Sequence, residues 1–214
     1  MDSPMALSRL PIDEQLDALR MTLVRNKTLI EVLKGGDALG LPNWYLAGGC
    51  IFQTVWNVVT DRPADQGIKD YDLFYFDDTD ISYAAEDAAI QAARSIFGHL
   101  PTEVEVRNQA RVHLWYQSKF GKPCPPHLST ESAIDSFIAT TCCLGIRLER
   151  QTWRIYVPHG LADVFSLTVR PNPVLAPREV YEAKTRRWQH QWPALKILPW
   201  PEDRRWTPTP AAGR

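Results

Sequence analysis

Apolar and polar residues alternate along this chain with two periods, and the switch between them marks its elements. From 13 to 34, Leu16, Leu19, Leu23, Val24, Leu29, Ile30 and Leu33 recur at roughly helical spacing. That stripe predicts one amphipathic helix, stopped by Gly35-Gly36. A short strand, 44–47, runs into Gly48-Gly49, and a helix over 50–59 follows directly. After a polar loop with Pro63 and Gly67, residues 71–77 read as a central strand, apolar on both faces beyond its start. Ser82 predicts the N-cap of an alanine-rich helix ending at Phe97. Residues 103–107 and 111–116 read as strands of a hairpin turning at Asn108. Further on, 130–141 predicts a helix, 145–148 and 153–157 a hairpin, 161–168 a short helix and 178–189 a polar helix.

This order predicts a single domain over 1–200. Its core spans about 13–118, and a C-terminal helical and hairpin region, 119–200, packs on it. Residues 201–214, rich in Pro, Thr and Arg, read as a flexible tail.

Composition narrows the function. The 214 residues are 44% apolar and carry 24 Lys and Arg against 25 Asp and Glu. This is a chain able to bury a core, without the basic excess of a general nucleic-acid binder. A local basic cluster remains at Arg178, Lys184, Arg186 and Arg187. Cys50, Cys124, Cys142 and Cys143 match neither a metal knuckle nor a disulfide framework, so reduced, buried thiols and a cytoplasmic location are expected. No window is apolar for the length of a membrane span, and a monomer is the default.

The chemistry concentrates at KDYDLFYFD. Alternation puts Asp70 and Asp72 on one face of a strand, with Lys69 beside them as a candidate contact to a nucleotide. An exposed strand end, with Asp70 capping a turn, is the bland reading. Glu103 and Glu105 share a face of the next strand, and either can complete a three-carboxylate cluster. Such a cluster suits Mg²⁺, which takes a few carboxylates plus water and phosphate oxygens. Gly48-Gly49 at a helix start offers backbone N–H groups to a phosphate. Arg107 and Arg111 suit a triphosphate or an acidic acceptor, or else an ion pair with Glu103, Glu105 or Asp72. His113 reads as structural. Asp163 is expected to cap or to pair with Arg170, and Asn172 to close a turn on its own backbone. Trp56, Trp115 and Trp153 are each able to stack on a base or to fill a core.

With these residues in view, the chain resembles the nucleotidyltransferase superfamily that includes DNA polymerase beta. More closely, it is similar to a bacterial nucleotidyltransferase-like family of unknown acceptor. The matching stretches are LAGGCIFQTVWN, KDYDLFYFD, EVEVRNQARVHLWY, YVPHGLADVFSLTVRPNP and the late WP and PW, spread over 44–200. The resemblance implies an α+β fold, a polymerase-beta-like core with a mixed sheet packed with helices. It implies a metal-dependent nucleotidyltransferase using Mg²⁺ or Mn²⁺ that moves a nucleoside monophosphate from an NTP to a hydroxyl or phosphate acceptor. Asp70 and Asp72 would match the metal-binding aspartates, Glu105 the third acid with Glu103 competing, and Gly48 and Gly49 the phosphate-holding glycines. A small-molecule or protein acceptor is favoured over nucleic acid. The alternatives are a non-catalytic nucleotide- or protein-binding relative and a metal-dependent phosphohydrolase.

Overall fold

The computed structural model describes residues 3–202. In chain order the helices are α1 (Pro4–Leu7), α2 (Ile12–Leu23), α3 (Lys27–Gly36), α4 (Gly49–Val59), α5 (Tyr83–Phe97), α6 (Val112–Phe120), α7 (Thr130–Ile134), α8 (Ala162–Phe165) and α9 (Arg178–Gln191). The strands are β1 (Tyr45–Ala47), β2 (Asp70–Tyr75), β3 (Glu103–Asn108), β4 (Gly145–Glu149), β5 (Thr152–Tyr156), β6 (Thr168–Val169) and β7 (Lys196–Ile197). This is the expected α+β architecture. Five strands form a mixed sheet in the order β3-β2-β1-β4-β5, with β2 and β3 parallel and the other neighbours antiparallel. The β4–β5 hairpin is therefore part of the main sheet. It turns at Arg150 and Gln151, both at positive φ. No helix among the described residues is long and apolar enough to cross a membrane.

Strand periodicity decides which face of the sheet is core. In β2, Tyr71, Leu73 and Tyr75 are buried while Asp70, Asp72 and Phe74 on the other side are half-buried. Leu19, Leu23, Leu29, Leu33, Ile51, Val55 and Phe97 from α2 to α5 pack on the Tyr71 side in one continuous core. A smaller cluster of Tyr45, Ala47, Ile134 and Cys143, joined by Phe74 and Phe137, covers part of the opposite face. That cover reaches Phe74 but leaves the start of β2 open. Apolar cover on both sides is thus found beyond the start of the strand, as expected.

The predicted long helix is broken into α2 and α3 at Asn26. Its side chain caps α3, accepting from the Leu29 N–H at 3.0 Å, and its amide donates to Thr54 Oγ1 at 2.8 Å and to Tyr71 Oη at 3.1 Å. A straight helix would leave this fully buried amide unpaired, so the break is the cheaper solution. The predicted strand at 111–116 is instead α6. Asn108 ends β3, accepts from Ala110 N–H at 3.1 Å and bonds Asp77 on both its backbone groups. Beyond that stop, Val112, Trp115, Tyr116 and Phe120 recur at helical spacing, and burying Val112 and Tyr116 around Cys124 favours the helix. The helix expected over 130–141 stops at Ile134, and that over 161–168 shortens to α8 because Thr168 and Val169 pair with β7. The residues proposed as a flexible tail fall, from 203 onward, outside the described residues.

Two other local expectations resolve cleanly. Asp163 pairs with Arg170, Nε to Oδ2 at 2.8 Å. Asn172 does not close its own turn. It is fully buried and donates to the carbonyls of Asp135 and Phe137 at 2.8 and 2.7 Å, pinning the segment after α7.

Replacing Asn26 with Ala removes the cap and strands the Tyr71 hydroxyl in the core. Urea unfolding is expected to show a loss of about 2 kcal/mol, with part recovered in Asn26→Ser, which keeps the cap. Equal stability of Asn26→Ala and the wild-type protein would contradict this account.

Candidate active site

The register of three strands assembles the site. Ala47 at the end of β1 lies opposite Asp72, and across the other side of β2 Asp70 faces Glu103, Asp72 faces Glu105 and Phe74 faces Arg107. Alternation sends the Asp70, Asp72, Glu103, Glu105 and Arg107 side chains to the face away from the main core. There all but Glu103 border a cleft of about 750 Å³, lined by Gly48, Gly49, Asp70, Asp72, Glu105 and Arg107, and walled by α4, α6 and α9. The volume is that of a small-molecule site. Glu105, not Glu103, lines it; Glu103 is exposed at the start of the edge strand and borders the neighbouring recess beside α5.

Charge crowding is visible at Asp72. Burial, then the carboxylates of Asp70 and Glu105, push its carboxyl up to about 7, while Lys184 and Arg107 pull it partly back. Glu105 leans on Arg107, Nη2 to Oε2 at 3.5 Å. Cys50, buried in the core, has its thiol pushed up by burial and by Asp72, which makes it inert as a nucleophile.

The opposite end of the site is the start of α4. Gly48 sits at φ 66°, ψ −124°, a conformation that only glycine adopts without strain. Its own N–H donates to the Leu144 carbonyl at 3.2 Å. No side chain caps α4, so the first-turn N–H groups of Gly49 and Cys50 have no intrahelical acceptor. These groups, rather than Gly48 N–H, are the ones open to an acceptor.

Two of the expected cationic contacts lie elsewhere. Lys69 is exposed and does not line the cleft; its carbonyl accepts from Thr102 Oγ1 at 2.9 Å. Arg111 forms an ion pair with Glu86, donates from Nε to the Ile81 carbonyl at 2.9 Å and lies over the Tyr83 ring. It braces α6 against α5. In their place stand two residues the site reading missed, Lys184 and Arg187 on α9, which line the cleft and have no ion-pair partner among the described residues. Their signal was present in the spacing of Val180, Lys184, Arg187 and Trp188, which puts two cations on an otherwise apolar helical stripe. What brings that stripe to the acids is aromatic packing. Trp188 meets Phe52 and Trp56 of α4 at 5.3 and 5.9 Å between centroids, and Trp192 meets Trp56 at 5.4 Å while donating to Asn57 Oδ1 at 2.8 Å. Of the three tryptophans able to stack on a base, Trp56 is core and Trp153 lies outside the cleft, leaving Trp115 on its wall.

The donor set fits a hard divalent cation: carboxylate oxygens only, on one face, with repulsion that a cation would relieve. As the side chains stand, no three acidic, His or Cys groups among the described residues converge on one point. Gathering three acids about an ion requires side-chain rotation, with Glu105 the natural mover because it is at the sheet edge and held only by Arg107.

A family model described as Nucleotidyltransferase matches residues 35–197. A search of curated proteins gives no match. Among solved structures, the chain is similar to one determined by NMR and described as revealing a CCA-adding enzyme head domain. The TM-score is 0.70 at 24% identity, covering 91% of this chain and all of that one. At this identity the likeness concerns the fold.

The raised Asp72 carboxyl carries a pH signature. Its ordinary value is 3.8 and its folded value about 7, so near pH 6 the folded protein holds a proton that the unfolded chain has released. Its contribution to stability is therefore complete below the ordinary value and lost as pH rises through 7. In EDTA, Asp72→Asn is expected to raise the melting temperature at pH 8 by a few degrees, from ~1 kcal/mol or more after allowing for screening in an open cleft. The gain should shrink at pH 5. An equal effect at both pH values would show that Asp72 titrates normally.

Proposed function

We propose that this chain, which belongs to the nucleotidyltransferase family, is a metal-dependent enzyme. It moves a nucleoside monophosphate from an NTP to a hydroxyl or phosphate acceptor and releases pyrophosphate. The observation that carries the reading is one register position. Asp72 lies opposite Ala47, which leads into Gly48-Gly49, and opposite Glu105 on the other side. The glycine turn and the paired carboxylates thus border the same cleft, which supports this reading.

Asp70, Asp72 and Glu105 would hold Mg²⁺ or Mn²⁺, which when bound supplies electrophilic polarisation of the α-phosphate and a more acidic acceptor hydroxyl. The chain's own groups do the rest. The open N–H groups of Gly49 and Cys50, at the positive end of α4, orient phosphate oxygens. Lys184 and Arg187 balance the charge of the polyphosphate from the facing wall, and Arg107 is free for a phosphate oxygen once Glu105 turns to the metal site. Transfer then forms a bond from the acceptor oxygen to the α-phosphorus and breaks the bond from that phosphorus to the bridging oxygen of the β-phosphate. Pyrophosphate leaves with the bonding pair, and the acceptor proton passes to the nearest free carboxylate oxygen, which we assign to Glu105.

The Glu105–Arg107 pair favours a second reading, a relative that binds nucleotide without transferring it, because that pair occupies the third acid. The two readings part in one experiment. The protein is incubated with labelled NTPs, Mg²⁺ or Mn²⁺ and a cell extract, and followed for pyrophosphate and for a labelled acceptor. Metal-dependent labelling that falls at least about 100-fold in Asp70→Asn and Asp72→Asn is expected, with NTP binding retained. Pyrophosphate or phosphate release without a labelled acceptor would favour hydrolysis, and labelling that survives both substitutions would rule out this site.

A further inference from the structure

The reacting groups occupy only one end of the cleft. Asp70 and Asp72 lie at the start of β2, and β3 runs parallel to it, so Glu105 is beside them while Arg107 and Gln109 follow toward the far end. Beyond Gln109 the chain turns into α6, which lines that end with Val112, Trp115, Tyr116, Lys119 and Phe120. These positions recur at three- and four-residue spacing, so one face of α6 looks into the cleft.

That face is a rigid aromatic platform. Tyr116 and Val112 are buried against Cys124 in a cluster of their own, joined by Phe120 and Leu175. Tyr116 contacts Phe120 at 4.6 Å and Trp115 at 6.1 Å between centroids. Trp115, by contrast, is 37% exposed, and Lys119 Nζ stands 5.5 Å from the centroid of its ring. An exposed indole on a supported wall of a polar cleft is apolar surface awaiting cover. Gln109, 5% exposed, lines the same cleft, with Nε2 donating to the Arg107 carbonyl at 3.3 Å. One amide bond is thereby used for anchoring. The carbonyl oxygen and the second N–H remain, a donor and an acceptor side by side, which is the complement of a nucleobase edge.

We propose that the α6 end of the cleft seats the nucleobase of the NTP, with Trp115 as the stacking platform and Gln109 as the group that reads the base edge. Stacking is sequence-tolerant because every base has a π-face; a fixed amide adds preference. The inference rests on the reading that the cleft takes a nucleotide, and it adds which residues hold the half that does not react.

Tripolyphosphate, which lacks the base, separates the two ideas. Titration calorimetry of the full chain with ATP, GTP, CTP, UTP and tripolyphosphate, each with Mg²⁺, is expected to show at least one NTP binding more tightly than tripolyphosphate. Trp115→Ala should weaken that NTP about tenfold and leave tripolyphosphate unchanged, while Trp115→Phe keeps most of the affinity. Gln109→Ala should narrow the differences among the four NTPs. Should Trp115→Ala fail to fold, Trp115→Leu, which keeps apolar bulk without the π-face, carries the same comparison. Equal affinity for tripolyphosphate and every NTP, or losses in Trp115→Ala that are the same for both, would overturn the base seat while leaving the transfer reading intact. Absence of binding by any of the five would overturn the transfer reading and the base seat with it.

Discussion

The register of β2 between β1 and β3 is the constraint on which the rest depends. In a strand a shift of one residue exchanges the two faces. Here one face carries Tyr71, Leu73 and Tyr75 and the other Asp70, Asp72 and Phe74. A slip would drive two carboxylates into the main core and three largely apolar side chains into the cleft, and burying unpaired charge is costly. The buried face sets the register, and the polar face inherits its geometry. Asn26 contributes from outside the sheet, since the amide that breaks the N-terminal helix in two also bonds the hydroxyl of Tyr71, which in sequence separates the two aspartates.

From that register follows a cluster of charges that are mostly unpaired among the described residues. Three acids share the cleft with Arg107, Lys184 and Arg187, and only Arg107 is engaged with one of them at ion-pair distance. The cations on α9 come from far along the chain and are delivered by packing, not by pairing, through the contacts of Trp188 and Trp192 with Phe52 and Trp56. The same helix, α4, therefore does two jobs. Its uncapped start faces the cleft, and its flank is the surface on which the opposite wall is docked. Holding both from one rigid element keeps the two sides of the cleft in fixed relation.

The elements with strong local signals were legible in advance. Ser82 caps α5 as its sequence implies, the 145–157 hairpin forms, and the strand, Gly-Gly and helix unit stands where the apolar runs and glycines place it. Legibility failed where a partner distant in sequence supplied the deciding energy. The helix break at Asn26 answers to Thr54 and Tyr71. The helical state of 112–120 answers to Cys124 and Leu175. Arg111 and Lys69 looked like phosphate ligands by proximity along the chain. Glu86 claims the first, and the second lies on the solvent side of its loop.

Sequence alone determined that Asp70 and Asp72 share a face and that Gly48-Gly49 opens a helix, because alternation and glycine's freedom at positive φ are local properties of the backbone. It determined the family likeness for the same reason, since those motifs are contiguous. Only the tertiary structure decided that Glu105 rather than Glu103 borders the cleft, that Lys184 and Arg187 face it, and that Trp115 is the tryptophan left open. Each of those depends on the pairing of β3 beside β2, or on how α6 and α9 pack. These pairings are set by the burial of surfaces far apart in the chain, which no local pattern encodes.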